Sequence, residues 1–125
     1  MVTQVKIEIG NLRFLAVLKH CDTAQQFLNL LPITITMNRW GEEYYGDCGM
    51  HVDESCDAKV LMEVGEIAIW PPGKAFCIFF GPTPVSTNNE PVAASPVNPI
   101  GKIIDDTSPM KELGQRIEAR MDIVR

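Results

Sequence analysis

The residues 75–80 read AFCIFF, a run of six positions without one polar side chain. The preceding Pro71–Gly73 segment predicts a turn, because two consecutive prolines cannot donate ladder hydrogen bonds. A strand that is apolar at every position is buried on both faces. The chain must therefore fold around a sheet that is covered on both sides.

Alternating apolar residues predict further strands on either side of this run. Residues 5–9 alternate with a period of two, and the Gly10-Asn11 pair suits a tight hairpin into a returning strand at Leu12–Leu18. The stretch 42–56 predicts two short strands with a bulge, because tyrosines suggest a strand that glycines interrupt. A proline-rich composition predicts a long irregular loop at 81–99. The remaining predicted strands are 33–38, 60–64, 66–70 and 100–104.

Two amphipathic helices are also predicted. Thr23 and Gln26 fit a capping box, and Pro32 closes the helix that they begin. Ser108 is predicted to cap a second helix with Pro109 in its first turn. Its apolar stripe is formed by Met110, Leu113, Ile117 and Met121.

About eight short strands with adjacent hairpins favour a mainly β, closed antiparallel eight-stranded barrel with two helices. A chain of 125 residues with 46% hydrophobic content is large enough to bury a core without a disulfide or a structural metal. No internal repeat or change in composition divides it. Residues 1–125 are therefore predicted to be a single domain.

The net charge of the chain argues against nucleic acid as a binding partner. Eleven basic and sixteen acidic side chains give a net charge of −5, so no basic field for nucleic acid is expected. The stretch 42–66 holds eight carboxylates and one lysine, a sum of −7. A solvated flank is favoured for this stretch, and a docking surface for a basic partner is the alternative.

No long apolar run and no secretory leader are found, so a cytoplasmic protein without membrane contact is expected. The four cysteines are then expected to be free thiols. A homodimer is compatible with the sequence.

The candidate ligands for a metal ion are Cys48, His51 and Cys56, which are spaced C-x2-H-x4-C. Two thiolates and an imidazole suit zinc, but three ligands fall short of the four of a closed structural site. We therefore predict no metal and no cofactor, and keep a metal-binding protein as a third alternative.

Three motifs carry a resemblance over nearly the whole chain: Asn38-Arg39-Trp40-Gly41, Trp70-Pro71-Pro72-Gly73 and Phe79-Phe80-Gly81-Pro82-Thr83-Pro84. With them the sequence resembles the small prokaryotic cyclophilin-like family, whose function is largely unassigned. The resemblance implies a cyclophilin-type closed eight-stranded barrel with a helix at each end.

A weaker resemblance to true cyclophilins places residues 73–78 on the aromatic active-site strand and Arg39 near the position of the catalytic arginine. A cyclophilin holds the proline ring in an apolar pocket while its arginine contacts the amide, which lowers a rotation barrier of about 18–20 kcal/mol. The polar partners of that reaction are missing here, with no tryptophan or histidine in 83–99 and no glutamine near Gly46-Asp47.

The sequence therefore predicts a protein that binds a small ligand or a peptide segment in an aromatic pocket, with little or no isomerase activity and no catalytic residue. A genuine peptidyl-prolyl isomerase is the alternative. Since Phe76 and Phe79 are three positions apart on one strand, they point to opposite faces, and one at most lines a given cavity. The candidate ligand-binding residues are Arg39, Tyr45, Trp70, Phe76 and Phe79.

Overall fold

Antiparallel strands dominate the computed structural model, which describes residues 3–124. Within that range the chain has nine strands, one α-helix and two short 3-10 helices, at Pro71–Gly73 and Ser108–Glu112. The elements are β1 (Thr3–Ile9), β2 (Leu12–Leu18), α1 (Asp22–Leu28), β3 (Ile33–Arg39), β4 (Glu43–Asp47), β5 (Lys59–Leu61), β6 (Glu66–Trp70), β7 (Ala75–Phe79), β8 (Val92–Ile103) and β9 (Arg116–Ile123).

The nine strands form one sheet in the order β2-β1-β9-β3-β4-β7-β6-β8-β5, and β2 also pairs with β8. Every pairing is antiparallel. The mainly β prediction is confirmed, but the sheet has nine strands where eight were predicted. The prediction of two helices is wrong, because the described residues contain one α-helix.

The first hairpin follows the predicted pattern. Gly10 adopts a φ of +57° in the turn, and Ile9 pairs with Leu12. Both strands alternate buried and partly exposed residues, as a period of two requires. The apolar strand β7 is buried at all five positions, which confirms the prediction of two covered faces.

The predicted second helix is wrong, because its chain segment divides into a 3-10 turn and a strand. Ser108–Glu112 forms the turn, and β9 then inserts between β1 and β3. The stripe from Met110 to Met121 matched helical spacing by coincidence. A period of two was also present, since Ile117, Ala119 and Met121 alternate with charged residues.

The predicted loop at 81–99 is wrong in its second half, where β8 already begins at Val92. Pro99 is tolerated because the pairing of β6 with β8 shifts register between Ile67 and Ala68, and proline is accepted at such irregularities. The two strands predicted in 42–56 reduce to β4, followed by irregular chain from residue 48 to 58.

The capping box is also wrong. Helix α1 begins at Asp22 after Cys21, one position before the predicted cap, and no side chain caps it. Thr23 is instead buried, and its hydroxyl accepts a hydrogen bond from the Asn98 amide at 3.3 Å. No helix among residues 3–124 is long and apolar enough to span a membrane.

The two faces of the sheet carry separate hydrophobic clusters. The larger one fills the inner face, where Phe27 of α1 stacks on Phe76 with ring centroids 4.9 Å apart. The second cluster lies on the outer face beneath β5 and the first half of β8. Its buried members are Met62, Ala68, Cys77, Phe79, Ala93 and Val97.

Candidate functional site

A tight turn between β3 and β4 places an aromatic ring beside an acid. The backbone N–H of Trp40 donates to the Glu43 carbonyl at 2.8 Å, and the Glu43 N–H donates to the Trp40 carbonyl at 3.2 Å. Residues that exchange both backbone hydrogen bonds direct their side chains to the same face. Gly41 occupies the turn with a φ of +61°, and a Cβ there would come within 2.7 Å of Pro84 Cδ.

Glu43 is a buried acid on the outer face, with 6% of its surface exposed. Burial raises the pKa of its carboxyl to about 7, and the neighbouring Cys77 thiol opposes part of that rise. Burial, followed by the charge of Glu43, raises the pKa of the Cys77 thiol well above its ordinary value. Glu43 therefore changes its protonation near neutral pH, whereas Cys77 stays a thiol.

Two contacts fix the Trp70 ring at the end of β6. Its indole N–H donates to the Ser95 hydroxyl on β8 at 2.7 Å. A Cβ on Gly73 would lie 2.6 Å from ring atom Cε3 of Trp70, so only glycine leaves room for the ring in this position. Within the Trp-Pro-Pro-Gly motif, the Trp70 ring thus packs against Gly73 of the turn that follows it.

These side chains line a cavity of about 250 Å³ between β4, β6 and the first half of β8. Tyr45 and Trp70 also pack against the second cluster. The wall contributed by β8 consists of small apolar side chains. The lining residues are Trp40, Glu43, Tyr45, Trp70, Ala93, Ala94 and Val97.

Of the predicted binding residues, Tyr45, Trp70 and Phe79 come together on this outer face. Phe79 is fully buried in the second cluster on which the other two pack. Phe76 belongs to the inner cluster, as expected from its spacing to Phe79. Arg39 is paired with Tyr44 across β3 and β4, and Tyr44 lies in the inner cluster, on the face opposite Tyr45.

The Arg39 guanidinium is engaged by the chain itself. It donates to the carbonyl oxygens of Gly41 at 2.8 Å, Lys111 at 3.1 Å and Leu113 at 2.9 Å. It also lies over the Phe80 ring, 5.2 Å from the centroid. In this arrangement Arg39 holds the 3-10 turn at Ser108–Glu112 against the sheet.

Sequence reasoning missed five of the seven residues that line the pocket, namely Trp40, Glu43 and the three contributed by β8. Glu43 looked like one more acid in an acidic stretch, and Trp40 like part of a turn. A signal was available, because strand alternation from Tyr45 places Glu43 on the same face two positions earlier. The position of β8 opposite them could not be anticipated, because 92–99 was assigned to a loop.

The three residues of the predicted metal alternative are spread along one irregular segment. Cys48 is buried, whereas His51 and Cys56 are exposed. Within residues 3–124 no three His, Cys, Asp or Glu side chains are grouped as metal ligands. All four cysteines are free thiols.

Comparison with known proteins agrees with the fold. A family model described as cyclophilin-like matches residues 3–122. The chain belongs to the cyclophilin-like family. The solution structure of a hypothetical protein from Archaeoglobus fulgidus is similar to this cyclophilin-like chain, with a TM-score of 0.82 and 29% sequence identity. The match covers 98% of this chain and 95% of the archaeal chain. No curated protein matches the chain.

Two of the motifs that this chain shares with the cyclophilin-like family have a structural explanation in the positions of their glycines. Gly73 makes room for the Trp70 ring, and Gly81 lies where a Cβ would meet the Glu42 carboxyl. The Glu42 N–H donates to the Pro82 carbonyl at 2.9 Å. Both motifs therefore hold the chain close to the turn and strand that carry the pocket.

Proposed function

We propose that this protein binds a small molecule, or one side chain of a peptide segment, in the outer-face pocket, with little or no prolyl isomerase activity. The observation that carries the proposal is the joint lining of one cavity by Trp40, Tyr45 and Trp70 around the buried acid Glu43. Binding pockets are typically concave and apolar, with a few placed polar groups. This cavity has that composition.

The size of the cavity limits the occupant. Its volume of about 250 Å³ lies below the range of roughly 300–1,000 Å³ that is usual for drug-sized ligands. We therefore expect a ligand, or a buried portion of one, no larger than an amino-acid side chain with a few further atoms.

The engagement of Arg39 supports binding without isomerisation. Stabilising a rotating amide requires a polar group aimed at it in the transition state. Arg39 spends three of its N–H groups on backbone carbonyls and lies on the other face of the sheet. The pocket lining itself contains no arginine, histidine or glutamine.

The binding proposal is tested with the two tryptophans as reporters. The chain has only Trp40 and Trp70, and both line the cavity. We expect members of a library of small fragments to shift their two indole N–H signals in ¹H-¹⁵N spectra. Ala94→Leu, which narrows the cavity, should weaken these shifts, whereas Val85→Leu on the exposed 81–91 loop should not. Absence of any saturable shift across the library would overturn the proposal.

Isomerase activity is tested separately with an Ala-Pro peptide by NMR exchange, which needs no coupling protease. We expect cis-trans exchange to stay at the uncatalysed rate at high protein concentration. A rate that rises in proportion to the protein and disappears in Arg39→Ala would replace our proposal with the isomerase alternative.

A further inference from the structure

We propose that the ligand of the outer-face pocket is an organic cation, an N-alkylated ammonium group surrounded by Trp40, Tyr45 and Trp70 and neutralised by Glu43. This inference rests on the binding function proposed above and specifies its ligand class. It depends on which chemical groups face the cavity and on which are missing from its wall.

Three of the seven lining residues are aromatic: Trp40, Tyr45 and Trp70. The faces of tryptophan and tyrosine rings attract cations, and groups of such rings recognise methylated ammonium ions. The remaining wall consists of Ala93, Ala94 and Val97, which offer no polar side-chain atom. A primary ammonium would need up to three hydrogen-bond acceptors, but a fully alkylated ammonium has no N–H to satisfy. The wall therefore suits the alkylated cation better.

The charge of the lining has one sign. Glu43 is the single carboxylic acid among the lining residues, and no lysine, arginine or histidine accompanies it. A carboxylate that is only 6% exposed attracts a cation strongly, because little water screens the pair. A buried charge is stabilised when it is paired, so a bound cation removes the cost of ionising Glu43.

The lining residues around Glu43 include no positively charged side chain. On its own strand the facing titratable group is Tyr45, and on β7 it is Cys77. Strand β8 presents Ala93 and Val97 on this side, and β6 presents Ala68 and Trp70. By strand alternation Glu66 of β6 lies on the same face outside the pocket lining, and it is paired with Lys59, whose Nζ is 2.9 Å from its Oε1. Among the described lining residues Glu43 thus has no cationic partner of its own.

Protonation of Glu43 provides a further signature. Because burial raises the pKa of its carboxyl to about 7, part of the protein carries a neutral Glu43 at neutral pH. A cation binds the ionised form, so its binding expels the proton. Affinity should rise with pH, by up to about tenfold per unit below pH 7, and level off above it.

The experiment compares matched probes at pH 8 by titration of the two indole N–H signals. The probes are choline, its uncharged carbon isostere 3,3-dimethylbutan-1-ol, and N-acetyl-trimethyllysine methylamide. We expect the trimethylammonium probes to bind at least about tenfold more tightly than the isostere, the size of a desolvated cation–π contact. Tighter binding of choline would indicate a small free quaternary ammonium compound, and tighter binding of the trimethyllysine probe a modified peptide.

Two variants make the test specific. Glu43→Gln keeps the shape of the side chain and should abolish both the preference for the cation and the pH dependence. Glu90→Gln removes the same charge from the exposed loop and should change neither. Equal binding of the isostere, or an unaltered preference in Glu43→Gln, would overturn the cation inference and leave the binding proposal in place.

Failure of every probe would also overturn the cation inference. The fragment library then decides the binding proposal independently, because its members are uncharged as well as charged. The two proposals therefore fail on different observations.

Discussion

Cys77 and Glu43 lie on the same outer face of the neighbouring strands β7 and β4, and both side chains are almost closed to water. The thiol keeps its proton, because burial and the adjacent carboxyl raise its pKa well above the ordinary value. Glu43 is therefore the group of this pair that titrates near pH 7.

This relationship predicts a pH-dependent stability. The pKa of Glu43 is raised from 4.5 to about 7 on folding, so the folded protein keeps a proton that the unfolded chain loses. The stability from Glu43 is fully present below pH 4.5 and is lost as pH rises through 7. The free energy of unfolding should fall by about 3 kcal/mol across this interval through Glu43 alone.

The measurement is urea unfolding of wild type and Glu43→Gln between pH 4.5 and 8. We expect the difference between the two to grow with pH until the variant is the more stable by about 1–3 kcal/mol at pH 8. Glu90→Gln serves as the control and should follow wild type. A constant difference between Glu43→Gln and wild type would show that Glu43 ionises normally.

A second prediction concerns the position of the Trp70 ring against Gly73. Gly73→Ala places a methyl group 2.6 Å from the ring, so the ring must move and lose its hydrogen bond to Ser95. We expect a shifted indole N–H signal for Trp70, weaker pocket binding, and a loss of about 1–3 kcal/mol in stability.

The matched control is Gly114→Ala, because a Cβ at Gly114 meets nothing within 4 Å. That variant should leave both the indole signals and fragment binding unchanged. If Gly73→Ala gave the same spectra as Gly114→Ala, the proposed role of Gly73 would be excluded.

A third prediction separates the structural role of Arg39 from a binding role. Arg39→Ala removes three hydrogen bonds to backbone carbonyls and a cation–π contact with Phe80. We expect a loss of about 2–3 kcal/mol in the free energy of unfolding, since hydrogen bonds to charged groups are the stronger ones. Exposed Arg116→Ala should lose little. A loss of fragment binding in folded Arg39→Ala, with stability unchanged, would contradict this assignment.

A fourth prediction concerns thiol reactivity. Cys56 is exposed and Cys21 is partly exposed, whereas Cys48 and Cys77 are buried and have raised pKa values. Because thiolates are the reactive form, an aromatic disulfide reagent should modify Cys56 first, Cys21 more slowly, and the other two only after unfolding. Cys56→Ser should remove the fastest phase. Rapid modification of Cys77 in the folded protein would indicate that the outer-face cluster opens readily.

The sequence predicted those parts of the fold in which one periodicity dominates. The strand from 5 to 9 and its hairpin, the strand at 33–38 and the apolar run at 75–80 have no competing pattern. The segment from 108 to 121 fits the periodicity of both a helix and a strand. Its second half forms a strand because it pairs with β1 on one side and β3 on the other. Such a tertiary contact leaves no trace in local sequence.

The residues of the candidate site also divide into those that local sequence predicts and those that depend on tertiary contacts. Tyr45 and Trp70 could be predicted as candidates because large amphipathic rings favour binding surfaces. Alternation from Tyr45 places Glu43 on the outer face, but the pocket that it lines with Ala93, Ala94 and Val97 could not be predicted, because 92–99 was assigned to a loop. Arg39 was chosen by analogy, and two of the three carbonyl groups that engage it come from a segment more than seventy residues away.

Strand β8 has consequences for how this protein can change over evolutionary time. Its last residues pair with β2 and contribute to the inner core, whereas Ala93, Ala94 and Val97 in its first half form one wall of the pocket. That first half pairs with the short strand β5 through Val92 and Val97. Substitutions in the wall alter the shape offered to a ligand without touching the inner cluster. Relatives with the same fold are therefore expected to differ in ligand, and fold similarity alone is a poor guide to what each of them binds.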